Sequence, residues 1–92
     1  MGRLTQPQEK ARIEALNDAR VQRGAWLRDA YTGAVWVVDH LEQMPDTVRV
    51  WLESATRYQE GTKLANSIYH SEAVDIVAIV KPSSAYRLVR RA

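Results

Sequence analysis

The chain has 92 residues, a formal net charge of +2, 46% hydrophobic residues and no cysteine. One domain with one modest core is the expectation at this length. The missing cysteine excludes disulfides, thiolate nucleophiles and cysteine-ligated zinc, and no apolar run approaches the roughly 18 residues of a spanning helix.

The N-terminal stretch from Arg3 to Lys10 is polar and lacks the apolar centre of a secretory signal, so a cytoplasmic location without a membrane partner is expected. Thr5 to Arg23 reads as a helix. Thr5 and Gln8 have the spacing of a capping box, Pro7 suits a first turn, and Gly24 suits a helix stop. Its apolar stripe is narrow, because Ile13 and Leu16 lie about 60° apart on a helical wheel. Arg20 falls between them, and Arg12 and Arg23 sit just beyond Leu16. Such a helix rests lightly on a sheet or is completed by a second copy, which makes homodimerisation through Ile13 and Leu16 an expectation.

From Gly24 the period changes to two. Strands are expected over about 25–30, 34–42 and 47–53. Thr32-Gly33 joins the first two, with glycine supplying the positive φ of a tight turn. In the second strand Val35 and Val37 are expected on one face, Trp36 and Val38 on the other. In the third, Val48, Val50 and Leu52 point inward, Arg49, Trp51 and Glu53 outward. Residues 54–63 read as a loop and 64–70 as a fourth strand. Alternation over Ala73–Lys81 predicts another strand, buried on both faces. Pro82 ends it, 85–89 reads as an edge strand, and 90–92 as a basic tail. One α+β domain over 1–92 follows: an N-terminal helix, then a small, curved antiparallel sheet of five or six strands. The sheet closes as an SH3-like barrel or stays open under the helix.

Gly24-Ala25-Trp26-Leu27-Arg28-Asp29, Thr32-Gly33 and Val35-Trp36-Val37 together resemble the opening hairpin of small bacteriophage and prophage proteins with SH3-like barrels. The likeness covers about thirty residues, within 24–52. Trp36 stands where such proteins often have tyrosine, and the long N-terminal helix is outside the pattern. The resemblance implies a phage-type accessory protein of compact β architecture and brings no catalytic residues.

The candidate chemistry is thin. His70 with Glu72, Asp75, Ser67 and Ser71 offers a paper metal site or triad, without a nucleophile elbow or converging imidazoles. Asp39-His40 adds little, and Asp29, Asp39 and Glu42 read as the polar face of a hairpin. Gly61-Thr62-Lys63 lacks the frame of a phosphate loop. No enzyme, cofactor or metal is expected. The aromatics carry more: three tryptophans and four tyrosines with no phenylalanine, residue types suited to half-wet surfaces. Trp36, Arg49 and Trp51 are the candidate contact patch on an outer sheet face, with Arg12, Arg20 and Arg23 on the helix. A host or phage protein is the expected partner, bound by protein–protein contact, with inhibition of a host or defence component as one outcome. The alternative is a nucleic-acid module. The ends are basic (+2 over 1–23, +4 over 81–92) and the body is acidic, −4 over 24–80. A polyanion would therefore be held by the ends.

Overall fold

The computed structural model describes residues 6–55 and 71–92, with side chains from residue 9 onward. The expected capping box, the 54–63 loop beyond Ala55 and the 64–70 strand lie outside the described residues. Helix α1 (Gln6–Leu16) opens the chain, followed by a single 3-10 turn (Ala19–Val21). Strands β1 (Trp26–Asp29), β2 (Val35–Gln43), β3 (Val48–Ser54), β4 (Ser71–Asp75) and β5 (Tyr86–Arg90) form an antiparallel sheet. Helix α2 (Ile76–Val80) sits between β4 and β5. The strand order is β4-β3-β2-β1-β5, so β4 and β5 are its two ends. The sheet is open rather than a closed barrel.

The N-terminal helix is shorter than the expected 5–23 and ends at Leu16. Asn17 and Asp18 follow, residue types whose short polar side chains compete with helical backbone bonding. Asp18 has extended backbone, and its carboxylate accepts from the Arg20 N–H at 2.8 Å. That bond starts a new, tighter turn instead of continuing the old helix. Gly24 does take positive φ, +93°, but as the entry to β1, where its N–H donates to the Val38 carbonyl. Gly33, at φ +77°, closes the β1–β2 connection. Its N–H donates to the Asp29 carbonyl, and the Asp29 carboxylate accepts from the Tyr31 N–H. An aspartate that folds its own turn explains the tight return.

Strand β2 contains a bulge. Val38 pairs with Leu52 and His40 with Trp51, so Asp39 is the extra residue. Before it, Trp36 and Val38 face the helices while Val37 points to the outer face. After it the phase flips: Leu41, opposite Val50, is on the helix-side face but exposed, and His40 and Glu42 are on the outer face. Val48, Val50 and Leu52 are buried inward as expected, with Val74 packed beside them. Val35 and Val37 were expected on the interior face with Val48, Val50 and Leu52, their register complements being the alternative; β2 gives those places to Trp36 and Val38.

The expected strand over 73–81 is corrected: only Ser71–Asp75 is strand, and Ile76–Val80 is helix. Ile-Val-Ala-Ile-Val is apolar at every position and satisfies a period of two or of 3.6 equally. The Asp75 carboxylate decides between them. It accepts from the Val77 N–H at 2.9 Å, as an N-cap does, and from the Thr47 hydroxyl at 3.0 Å. A strand would send Ile76 and Ile79 to opposite faces. The helix buries both and leaves Val77 44% exposed. Helix α1 packs against α2, and Ala15, Val21, Ile76 and Ile79 complete one core with Leu27, Val38, Val50 and Leu52. Alanine at 15 permits the close approach, and Leu16 adds to the core from its edge. Ile13, expected as an anchor, is 54% exposed.

Candidate functional site

Beyond the bulge, β2 and β3 carry a built cluster on the face opposite the helices. The cross-strand pairs are His40 with Trp51 and Glu42 with Arg49. The Trp51 indole stacks on the His40 ring, with centroids 5.8 Å apart and planes 13° from parallel. Its indole N–H donates to Glu42 Oε1 at 3.0 Å. The same oxygen lies 3.6 Å from Arg49 Nη1. Behind the stack, His40 Nδ1 is 2.6 Å from Asp39 Oδ2. A carboxylate accepts only, so Nδ1 carries the hydrogen of that bond. His40 and Glu42 are exposed, Arg49 and Trp51 half-exposed. Farther across the same face, Val37 and Glu53 are buried.

Each side chain here is oriented by a neighbour rather than left to solvent. Stacking fixes the tryptophan's tilt, and Glu42 fixes its edge. Such an amphipathic surface loses little rotamer freedom on contact with a partner. The Asp39–His40 pair has the form of an oriented base. However, no group of three or more metal-ligating side chains occurs among the described residues, and no hydroxyl of the described residues is hydrogen-bonded to the ring.

The expected patch is divided by the structure. Arg49 and Trp51 are together, as the alternation of β3 requires. Trp36 is on the opposite face, packed against the core. Its phase is set by β1, where it stands across from Leu27. The helical cations do not form one row either. Arg12 is half-buried in α1; it lines a shallow cleft with Asp46, Thr47, Asp75 and Val77, and its Nε is buried without a hydrogen-bond partner among the described residues. Arg20, in the 3-10 turn, is clamped by Asp18 through Nε at 3.0 Å and Nη2 at 2.7 Å. That pair holds the Asp18 carboxyl below its ordinary range and Arg20 above its own. Arg23 is exposed in the turn before β1. Because the helix stops at Leu16, the three arginines belong to three different local frames.

His40 and Glu42 were not expected in the patch. The signal for them is the three-residue spacing between Val38 and Leu41, which breaks a strict alternation and marks the bulge. A second basic and aromatic group lies near β5. Arg90 sits over Trp26 with its guanidinium 4.3 Å from the ring centroid, and Arg28 stands across from Arg87. No helix among the described residues is long and apolar enough to cross a membrane. Comparison with protein-family models, curated proteins and solved structures gives no match.

Proposed function

We propose that this is a non-catalytic recognition module that binds another protein through the Trp51–Arg49 end of its β2–β3 hairpin. The observation that carries the reading is the preorganised stack of Trp51 on His40, tied to Glu42 and Arg49, at a half-exposed position. Tryptophan and arginine lead among residues that dominate protein interfaces. The likeness of the hairpin to small phage proteins suggests an accessory role, such as occupying and inhibiting a host component. A homodimer through α1 would turn on Ile13, since Leu16 serves the core.

The nucleic-acid alternative has weaker support from the same side chains. Arg20 is engaged by Asp18 and Arg12 is half-buried, leaving Arg23 as the one exposed member of the expected basic helix row. Glu42 is adjacent to the aromatic stack and disfavours a phosphate there. The test is capture from host lysate by the wild type, Trp51→Ala, Arg49→Ala and Arg23→Ala. A bound protein that survives salt from about 50 to 200 mM, where phosphate-driven binding collapses, supports the reading if it is lost with Trp51→Ala and kept with Arg23→Ala. Capture unchanged in Trp51→Ala and Arg49→Ala refutes it. Salt-sensitive retention of DNA or RNA alone establishes the alternative.

A further inference from the structure

Strand β5 is an end strand of the sheet. It pairs with β1 on one side, and among the described residues no strand pairs with it on the other. Alternate main-chain N–H and C=O groups of such a strand point outward without ladder partners. Arg87, Leu88, Val89 and Arg90 are all exposed, Leu88 to 36% and Val89 to 49%. From Ile76 to Ala92 there are four cationic residues and no acidic side chain.

Register makes this more specific. Leu27 pairs with Leu88 and Trp26 with Arg90, so Val89 is the extra residue of a second bulge. That bulge keeps Arg87 and Arg90 on the same face, beside Arg28 of β1. Arg28 and Arg87 are directly opposed, an arrangement that costs stability. Neither has a carboxylate partner among the described residues, and Arg87 donates only to the Ser84 carbonyl of its own turn. Three guanidinium groups are thus gathered along an edge that also offers an exposed leucine and open backbone groups.

We propose that this edge takes up an extended, acid-bearing peptide segment of a partner protein as a sixth strand. The peptide main chain completes the β5 ladder. Its carboxylates meet Arg28, Arg87 and Arg90 on one face, and its apolar side chains cover Leu88 on the other. A second copy of this chain is the wrong occupant, since two β5 strands side by side set arginine against arginine. A polynucleotide would satisfy the charge but leave the ladder and Leu88 without partners. The inference stands apart from the Trp51 cluster, which lies across the sheet.

The test uses the whole chain, with backbone amide signals followed by NMR during titration. The probe is an eight-residue peptide of alternating glutamate and valine with blocked termini. Shifts concentrated in residues 86–90 are expected, with affinity about tenfold above that of the lysine–valine counterpart. Methylating alternate peptide nitrogens keeps the charge, removes the ladder and is expected to abolish binding. Arg87→Glu with Arg90→Glu is expected to reverse the charge preference, while Trp51→Ala leaves peptide binding intact. Equal affinity for both peptides, undiminished binding of the methylated one, absence of shifts along β5, or displacement by oligothymidylate with the methylated peptide still bound would each overturn the proposal. The peptide comparisons decide the matter even if the double variant fails to fold.

Discussion

Replacing Asp75 by alanine tests how this chain turns a strand into a helix. The carboxylate satisfies the Val77 N–H and the Thr47 hydroxyl. Losing an N-cap to alanine costs typically about 1 kcal/mol. The second bond adds roughly 0.5–1 kcal/mol, the lower part of the usual range, because Asp75 is exposed. A total of about 1.5–2 kcal/mol corresponds to a fall in Tm of roughly 6–15 °C for a domain of this size. Asparagine caps helices as well as aspartate and can still accept from Thr47, so Asp75→Asn should stay within about 0.5 kcal/mol of the wild type. The assay is thermal and urea unfolding of the three proteins, followed by circular dichroism. Asp75→Ala is also expected to lower the helical signal, because residues 76–80 alternate well enough to extend β4. If Asp75→Ala and Asp75→Asn are equally stable and equally helical, capping is not what ends the strand, and the account of this segment is wrong.

The phase of α2 is checked by two truncations: Ile79→Ala should cost about 2–4 kcal/mol as a buried cavity, and Val77→Ala less than about 0.5 kcal/mol at the surface, by chemical unfolding. Asp18 has its folded-state pKa depressed, chiefly by its bond to Arg20. Its contribution is therefore full above the unfolded value and is lost as pH falls below about 4. Asp18→Asn should flatten that acid limb in urea titrations at pH 2.5–5. The Tyr86 hydroxyl is pushed up, first by burial and then by Glu72 and Asp29. Stability tied to it is complete below the ordinary value and declines as pH climbs through and beyond about 10. Tyr86→Phe should remove that alkaline decline, and an unchanged profile would show that the ring is not held by its neutral form.

The parts legible in the sequence were those where one period stood alone. Val48 to Leu52 alternate without interruption, and β3 formed with Arg49 and Trp51 outward. Asp29 to Ala34 contains a turn-forming aspartate and a glycine, and the hairpin formed there. Legibility failed where two physical rules fit equally. The run Ile76–Val80 suits both periods, and only the carboxylate before it breaks the tie. Asn17 and Asp18 can lie within a helix by spacing, yet their side chains prefer to bond locally. In β2 a single extra residue reversed the faces, which separated Trp36 from Trp51 and brought in His40. The candidate site was therefore half readable: its members on β3 follow from alternation, and those on β2 depend on a bulge marked only by an odd spacing.

Beyond Val38, β2 has left β1 behind and, among the described residues, pairs with β3 alone. The stretch from His40 to Gln43 is thus a peninsula, joined to the body along one shore. Its outward side chains can be exchanged by mutation at small energetic expense to the interior, which rests on Leu27, Val38, Leu52 and helices α1 and α2. A lineage under pressure to follow a changing target would find its room for variation there, while the mainland stays fixed.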